Sequence, residues 1–366
     1  MANDTLEGNR HRGIPRQGAT PHSLIHAIQG TLADFLAAQT ASLDSIDPEL
    51  GGFARTARDL VLAGGKRLRP VFAYWGWRGA VGPDEPIEPV LPAFAALELM
   101  HTFALVHDDV MDESDTRRGH PTAHRIFGRR NGERFGSSAA ILVGDLCLVW
   151  ADQLLARARA PQGVRTVYDR MRVEAIAGQY LDVLGEAEPG SWSVERALLV
   201  ARHKTASYTI QRPLQFGLAL SGLAHPEIDL AYGRYGLAVG EAFQLRDDLL
   251  GVYGDPSVTG KPAGDDLRSG KPTALLMLAR RLASPAQREA LDPAGAVNPA
   301  DGSGGLTVDI SEKAQVIAET GAPARLEAMI QERVADGIAA LAGAPLHEDA
   351  RAALIELAVR ATHRPA

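Results

Sequence analysis

The amino-acid sequence predicts an all-α protein, a large helical bundle around a deep central cavity. From residue 21 onwards the pattern is helical nearly throughout, because Ala, Leu, Arg and Glu dominate and strand-type alternation of β-branched residues is scarce. Several predicted helices are apolar on more than one face, which is typical of central helices wrapped by outer ones. We therefore expect the cavity to lie between the central helices.

The predicted helices are separated by Pro and Gly residues, which mark their ends. In chain order they cover residues 22–43, 52–64, 70–80, 89–111, 133–158, 162–188, 193–201, 204–222, 227–253, 272–283, 309–342 and 347–362. The segment 292–305, DPAGAVNPADGSGG, has the composition of a flexible surface loop.

Length and composition indicate one globular domain preceded by a tail. The 366 residues are 45% hydrophobic and 23% charged, as in ordinary soluble proteins. Residues 1–20 are polar and lack an apolar signal core, so we expect a mobile N-terminal tail followed by a single helical domain over residues 21–366. No apolar stretch reaches about 18 uncharged residues, so no transmembrane segment is predicted.

Net charge and cysteine content narrow the function classes. The net charge of -7 argues against a general nucleic-acid binder. Basic residues that hold an anion must then be placed at specific positions against the overall field. Cys147 is the single cysteine and lies in an apolar run, so we predict a buried helical thiol, no intrachain disulfide and a cytoplasmic location.

The densest chemical signal is the segment 107–113, HDDVMDE, which ends an apolar helix. Asp108 and Asp112 are four residues apart, about one helical turn, so both carboxylates point from one face. Two unpaired acids at that spacing repel, and a divalent cation removes the repulsion. Oxygen ligands of this kind suit magnesium, which leaves its other positions for water and phosphate.

A second acidic pair, Asp247 and Asp248, lies near the end of the helix predicted over 227–253. An acidic pair at one helix end is most often an ordinary solvated feature. Two such pairs, with arginines and lysines between them, predict a cavity for a metal-bound polyanion instead.

Two basic motifs lie close to the first acidic pair. In residues 64–70, GGKRLRP, the glycines end a helix and let backbone approach a ligand. Lys66 offers a point charge and Arg69 a planar fork for phosphate oxygens. Arg117 and Arg118 follow the first acidic pair, where they would contact phosphates that the metals also hold. A solvated basic turn and ordinary salt bridges are the alternative interpretations.

Several polar residues interrupt the apolar helices. His101 lies two turns before the first acidic pair, on the same face, and so points towards the predicted cavity. Gln179 and Asp182 are either partners of the metal ligands or a buried polar pair. His120 and His124 are four apart and could suggest zinc, although no Glu or Cys completes a recognisable ligand set.

Three lysines in the second half of the chain are further candidate anion ligands, although a lysine of this kind taken alone is more often solvent-facing. Lys204 and Thr205 begin a predicted helix, where an ammonium and a hydroxyl can meet an anion. Lys261 and Lys271 lie on loops after the second acidic pair, and the Gly and Pro residues around them suggest a lid.

The joint order and spacing of these motifs resemble those of the trans-isoprenyl diphosphate synthases, the polyprenyl synthetase family. Residues 64–70 resemble the family motif GGKxxRP, and residues 107–119 resemble its first aspartate-rich motif, DDxxD followed by RRG. The remaining signatures are matched by Gln179, Asp182, Lys204, Thr205, Phe243, Gln244, Asp247 and Asp248. The resemblance runs from about residue 25 to the C terminus and is closest to the short-chain geranylgeranyl and farnesyl diphosphate synthases.

The resemblance implies an isoprenoid synthase bundle that works as a homodimer on isopentenyl diphosphate and an allylic diphosphate. It implies two or three Mg²⁺ ions per site, held by Asp108, Asp112 and Asp247. It implies isopentenyl diphosphate ligands at Lys66, Arg69, His101 and Arg118, and allylic diphosphate ligands at Arg117, Lys204, Thr205, Gln244, Lys261 and Lys271. The residues expected to carry the chemistry are Asp108, Asp112, Arg117, Lys204 and Asp247.

Two positions bear on activity and product. The second acidic motif reads DDLLG, with Gly251 where the family usually has a last aspartate, and we expect activity to survive this change. Phe103 and Ala104 lie five and four residues before Asp108. In the family an aromatic residue followed by a small one at these positions suggests geranylgeranyl diphosphate, with farnesyl diphosphate or longer polyprenyl diphosphates as alternatives.

Two other readings share part of the pattern. A terpene cyclase also uses a DDxxD helix and magnesium, but it would carry an Asn/Asp-Ser/Thr-Glu motif in place of Asp247 and Asp248 and would not need residues 64–70. A non-catalytic subunit of a heteromeric synthase typically loses the first acidic motif or the cations, and this sequence has both.

Overall fold

Helices make up nearly all of the regular structure, which confirms the all-α prediction. The computed structural model describes residues 21–188, 191–255, 264–268, 270–291 and 310–362. The predicted tail 1–20, the predicted loop 292–305 and Lys261 lie outside the described residues.

The described helices are numbered here in chain order. The first half contains α1 (Pro21–Asp44), α2 (Pro48–Leu62), α3 (Leu68–Val81), α4 (Leu91–Met111), α5 (Ala123–Asn131), α6 (Glu133–Leu155), α7 (Gly163–Ala187) and α8 (Val194–Val200). The second half contains a π-helical segment (Ala201–Gln211), α9 (Arg212–Leu220), α10 (Pro226–Tyr253), α11 (Asp265–Arg268), α12 (Ala274–Leu282), α13 (Pro285–Leu291), α14 (Ile310–Glu319), α15 (Ala322–Ala340) and α16 (Glu348–Thr362).

Two predicted helices differ from the structure by more than their ends. The helix predicted over 309–342 is two helices, α14 and α15, because Gly321 adopts a left-handed conformation with φ of 79° between them. The helix predicted over 204–222 begins as the π-helical segment and continues as α9. Helices α5, α11 and α13, which are short, were not predicted from the sequence.

The centre of the bundle is built from α3, α4, α9 and α10. In α4 every residue from Ala93 to Met100 is buried, as expected for a central helix. Close approach between α3 and α9 depends on glycine: a Cβ at Gly217 would lie 1.9 Å from the Ala73 carbonyl oxygen, and one at Gly76 would lie 2.2 Å from the Leu214 carbonyl oxygen. The large apolar side chains buried here each stabilise the fold by about 1.5–3 kcal/mol.

A buried ion pair fixes the glycine-rich turn before α3. Arg67 pairs with Glu98 of α4, and both side chains are almost fully buried. Its guanidinium also donates to the Gln29 side-chain oxygen at 2.9 Å and to the Val61 carbonyl at 2.8 Å. One of the three cations of this turn is therefore a structural group, and its ion pair anchors the turn that carries Lys66.

A small hairpin follows α4. Strands β1 (Thr116–Arg117) and β2 (His120–Pro121) pair antiparallel, with Arg117 opposite His120. The two turn residues, Arg118 and Gly119, have φ of 54° and 77°, as the tight two-residue hairpin turns require. This turn sends the Arg117 side chain back towards the end of α4.

Among the described residues, α6 is the one helix that is both long and apolar enough to be compared with a membrane span. By length and composition it would suffice to cross a membrane, but half of its most apolar window is buried inside the bundle, and a core helix gives the same signal. Cys147 lies on its buried face, where burial raises the pKa of the thiol to about 12. The prediction of a buried helical thiol is confirmed.

Candidate active site

The first acidic pair lies at the end of α4 with its charges in close proximity. Asp112 caps the C terminus of the helix, one turn after Asp108. Burial raises the pKa of Asp112 to about 6, and the Asp108 carboxylate adds to the rise. Burial would also raise the pKa of Asp108, but Lys204, Arg117 and Lys271 together hold it at about 2. The two carboxylates thus share a face, as predicted, and one is fully ionised.

Three polar groups from different elements converge on Asp108. The Lys204 ammonium and the Gln179 side-chain amide both donate to its Oδ1, each at 3.0 Å. The Arg117 guanidinium lies 3.2 Å from its Oδ2 and 2.6 Å from the neighbouring Asp109 carboxylate. The hairpin, α7 and the π-helical segment therefore meet at the end of α4.

A second carboxylate, Asp182 of α7, holds two lysines side by side. The ammonium groups of Lys204 and Lys271 lie 2.6 Å and 2.8 Å from the same Asp182 oxygen. Burial alone would lower the pKa of both lysines, but Asp182 and the neighbouring carboxylates raise it, so both stay protonated. Lys271 also contacts Glu186 at 3.3 Å. Asp182 thus acts in this structure as a counter-ion for both lysines.

The π-helical segment is pressed between α7 and α10 at glycines. A Cβ at Gly178 would lie 2.3 Å from the Lys204 backbone nitrogen, and one at Gly240 would lie 2.4 Å from the Ala206 Cα. The wider π turn, which often occurs at functional sites, lets Lys204 and Thr205 contact different walls of the site.

The second acidic pair is connected to the first through these adjacent residues. Thr205 donates to the Gln244 side-chain oxygen at 2.6 Å, and the Gln244 amide donates to Asp248 at 2.8 Å. Asp248 also accepts from the Ala274 backbone at 3.0 Å, and burial raises the pKa of its carboxyl to about 7. Asp248 is thus turned into the protein, while its neighbour Asp247 is partly exposed.

The space beside Gly251 is occupied by a carboxylate from α11. A Cβ at position 251 would lie 2.6 Å from an Asp266 side-chain oxygen. A larger side chain at this position and the Asp266 carboxylate therefore compete for the same place. Where the family motif DDxxD has its last aspartate, this chain has Gly251. The Asp266 carboxylate of α11 lies beside that turn of α10 instead.

The opposite wall carries Arg69 and His101. Arg69 donates to the Thr209 hydroxyl at 2.9 Å, and its guanidinium lies 4.1 Å from the ring centroid of Tyr208. The Tyr208 hydroxyl lies 3.4 Å from His101 Nδ1. Burial, together with the charges of Arg69 and Arg118, lowers the pKa of His101 well below its usual value, so its ring is neutral at pH 7.

The hairpin and the glycine-rich turn lie against each other. Arg118 donates to the Gly64 carbonyl, and a Cβ at Gly65 would lie 2.6 Å from its guanidinium. Lys66 is exposed beside this contact. The two basic motifs, about fifty residues apart in sequence, are therefore brought together as predicted.

Phe103 and Ala104 lie on a partly exposed strip of α4, whereas Thr102 and Val106 are buried. The Phe103 ring packs edge-on against His107, with ring centroids 4.9 Å apart. The strip begins one turn before Asp108 and runs away from it.

The sequence analysis missed four residues of this region: Tyr208, Thr209, Glu186 and Asp266. The first two follow Lys204 and Thr205 by four residues each, a spacing that could have revealed them. The zinc alternative has no support in the described part of the chain, where no three His, Cys, Asp or Glu side chains form a metal-binding group.

Comparison with known proteins identifies the family. A model of the polyprenyl synthetase family matches residues 52–302. The chain belongs to this family. Its members are prenyltransferases, so the resemblance that the motifs carry is confirmed.

The chain is similar to family members with different products. It is 36% identical to the geranylfarnesyl diphosphate synthase of Aeropyrum pernix over 272 residues, 72% of this chain and 78% of the relative. It is 32% identical to the octaprenyl diphosphate synthase of Escherichia coli over 259 residues, 71% of this chain and 76% of the relative. Product length therefore varies among polyprenyl synthetases of comparable similarity.

A solved structure matches over nearly the whole chain. It is a geranylgeranyl pyrophosphate synthase from Corynebacterium glutamicum, complexed with isoprenyl diphosphate and magnesium. The TM-score is 0.86 at 40% identity, covering 95% of this chain and 100% of the other. The described helices therefore have the arrangement of the isoprenoid synthase bundle.

We predict that Thr205→Val lowers kcat/KM for prenyl transfer about tenfold. The change leaves the Gln244 oxygen without its donor, and an acceptor left unpaired in a partly buried site costs about 1–3 kcal/mol. Steady-state kinetics measure the effect. Thr56→Val is the matched control, because the Thr56 hydroxyl bonds only within its own helix, to the Gly52 carbonyl. Equal kcat/KM values for the two variants would contradict the assigned role of Thr205.

Proposed function

We propose that this chain condenses isopentenyl diphosphate with an allylic diphosphate in a magnesium-dependent, head-to-tail chain elongation. The observation that carries the proposal is the convergence on Asp108 of Lys204, Arg117 and Gln179, three groups from three separate elements. Alternating acids and cations of this kind fit a metal-bound diphosphate, since each charge of the ligand then meets an opposite charge.

Magnesium fits the donor set at the end of α4. Asp108 and Asp112 supply hard oxygens one turn apart, and Asp247 supplies another from α10. Magnesium takes one or two protein carboxylates and completes its shell with water and phosphate, so a larger protein cage is not needed. We assign two or three ions to the site. The relative crystallised with isoprenyl diphosphate and magnesium supports the choice of metal.

The cations of the site would bind and stabilise the departing diphosphate. Bound magnesium supplies the charge neutralisation that makes diphosphate a good leaving group. Arg117, Lys204 and Lys271 already lie against carboxylates, so they can transfer their contacts to phosphate oxygens. Their charges would stabilise the negative charge that develops as the carbon–oxygen bond breaks. Thr205 and Gln244 would complete the same pocket. For Lys261, which lies outside the described residues, the same role rests on the family motif alone.

The second wall would hold isopentenyl diphosphate. Lys66, Arg69 and Arg118 lie around the glycine-rich turn, and neutral His101 adds a hydrogen-bonding ring. Holding the double bond beside the allylic carbon makes the coupling effectively unimolecular. Water must be excluded, because it would convert the allylic cation into an alcohol. We assign the final proton loss to the released diphosphate.

The direct test is incubation of the purified protein with Mg²⁺, isopentenyl diphosphate and each allylic diphosphate, followed by mass spectrometry. We expect a longer linear prenyl diphosphate and its loss when EDTA removes the metal. A cyclic hydrocarbon, or no product with any allylic diphosphate, would contradict the proposal.

In the same assay Asp108→Asn should lower kcat about 100-fold or more, because it removes both a metal ligand and the counter-ion of Lys204. Asp34→Asn is the matched control, since Asp34 is exposed on α1. A fall below about threefold in Asp108→Asn would refute the metal role of this carboxylate.

For the product we propose geranylgeranyl diphosphate. Phe103 and Ala104 support it, because a growing chain that leaves Asp108 along the exposed strip passes small Ala104 and then meets the Phe103 ring. Farnesyl diphosphate and longer polyprenyl diphosphates are the alternatives.

We predict that Phe103→Ala lengthens the product by at least one five-carbon unit, because it removes the floor of the cavity. Mass spectrometry of the reaction products checks this. Phe53→Ala, which removes a ring that packs against Phe127 outside the site, should leave product length unchanged. Identical product length in Phe103→Ala and the parent would refute the floor.

We also propose that the chain is a homodimer. Val173, Ile176, Tyr180 and Val183 of α7 are 66%, 55%, 68% and 40% exposed. Their spacing of three, four and three residues forms one apolar stripe, and Phe135, Leu142 and Val149 of α6 are exposed at intervals of seven. Stripes of this size mark interfaces, and a heptad-spaced stripe can pack against its own copy across a two-fold axis.

We predict that Ile176→Lys converts a dimer into a monomer, because a charge in the stripe opposes its burial. Light scattering after size exclusion measures the mass. The control is Leu230→Lys, which changes another exposed apolar residue that lies outside the stripe, and this variant should remain dimeric. A monomeric parent protein at micromolar concentration would contradict the interface.

A further inference from the structure

His107 is locked against α6 by a glycine. The residue directly precedes the first acid, and its Nε2 lies 2.9 Å from the Ile141 carbonyl oxygen, so this nitrogen carries the proton and donates. A Cβ at Gly144 would lie 2.2 Å from both Cδ2 and Nε2 of the ring. Asp145, the charged group beside Nε2, is 3.7 Å away. Any residue with a Cβ at position 144 would overlap the His107 ring, so glycine is required there for the ring to keep this position.

The locked ring in turn supports Phe103. The two residues are four apart on α4, and their ring centroids lie 4.9 Å apart at an interplanar angle of 69°. Edge-to-face pairs of this kind have a preferred geometry and hold each other in it. The position of the Phe103 ring therefore depends on His107, and the position of His107 depends on Gly144.

The helical order of these residues places the pair at one edge of the exposed strip. Successive α-helical residues rotate by about 100°, so His101 and Asp108 are within about 20° of each other. Ala104 comes about 40° further round, followed by His107 at about 100° and Phe103 at about 140°. A growing hydrocarbon tail that extends from Asp108 past Ala104 therefore reaches the rings of His107 and Phe103 together.

We propose that His107 and Gly144 are positioning residues that set product length by fixing the Phe103 ring. This inference rests on the proposed prenyl elongation and adds two residues to its specificity. Neither residue touches the diphosphates in this account. His107 acts on the hydrocarbon end through Phe103, and Gly144 acts through His107.

Substitutions of His107 and Gly144 are expected to change product length in opposite directions. His107→Ala removes the support, so the Phe103 ring can turn aside, and the product distribution should shift towards longer chains by at least one five-carbon unit. Gly144→Ala places a methyl group where the ring lies and pushes it towards Phe103, so the distribution should shift towards shorter chains. Gly30→Ala is the matched control, because nothing lies within 4 Å of a Cβ there.

A double variant tests the order of action. If Gly144→Ala works through the imidazole, then His107→Ala with Gly144→Ala should give the same distribution as His107→Ala alone, since the two changes are not independent. Mass spectrometry at a fixed ratio of substrates and at matched conversion reads out chain length independently of a general loss of stability or rate. A double variant with shorter products than His107→Ala would overturn the coupling.

The outcomes separate this inference from the proposed function. Longer products in Phe103→Ala but not in His107→Ala would overturn the inference and leave the proposed function standing. Longer products in His107→Ala but not in Phe103→Ala would overturn the claim that His107 acts through that ring. A parent protein that makes no linear prenyl diphosphate would refute the proposed function itself. If Gly144→Ala does not fold, His107→Ala decides alone.

Discussion

The Lys204 ammonium, shared between Asp108 and Asp182, is the contact on which the site depends. It lies 3.0 Å from one carboxylate and 2.6 Å from the other. Three largely buried charges are tolerable only because they compensate one another, since an unpaired buried charge costs several kcal/mol. The contact also joins α4, α7 and the π-helical segment, which otherwise approach from three directions.

The backbone around Lys204 follows from that requirement. Gly178 lets α7 approach the Lys204 nitrogen, and Gly240 lets α10 approach the next turn of the segment. With the backbone held from both sides, Lys204 faces the first acidic pair while Thr205 faces Gln244. Two acidic motifs that are distant in sequence are thereby linked through adjacent residues of the segment.

Balanced charge also explains how the site can receive its ligands. Arg117, Lys204 and Lys271 are each paired with carboxylates, so the charge of each of these cations is compensated within the protein. Metal ions and diphosphate carry opposite charges and would enter with little change in that balance, whereas either alone would leave an uncompensated charge in a poorly hydrated space. Local pairing of this kind is how a chain with a net charge of -7 would bind the proposed diphosphates.

Much of this was predictable from sequence where the signal is local. Helical periodicity predicted α4 and α10, and one-turn spacing correctly placed Asp108 and Asp112 on one face. Contacts with distant partners were not predictable. Arg67 reads as a solvated cation until Glu98, 31 residues away, is known to meet it.

Most of the other misses have the same cause, a partner that is distant in sequence. The π-helical segment depends on glycines of two other helices. The break at Gly321 is the exception, because Gly321 and Pro323 are local signals of a helix boundary. Gly251 looked like a lost acid, and its neighbour Asp266 is visible only in three dimensions. His107 was read as part of the acidic motif, although its ring packs against α6.

The most direct test of the central claim is a crystal structure with Mn²⁺ and inorganic pyrophosphate, with the metal located by anomalous scattering. The account predicts metal peaks beside Asp108 with Asp112 and beside Asp247, with pyrophosphate bridging them and Lys204 moved onto its oxygens. Metal bound to isolated surface carboxylates, with pyrophosphate elsewhere and Lys204 still on Asp108, would contradict it.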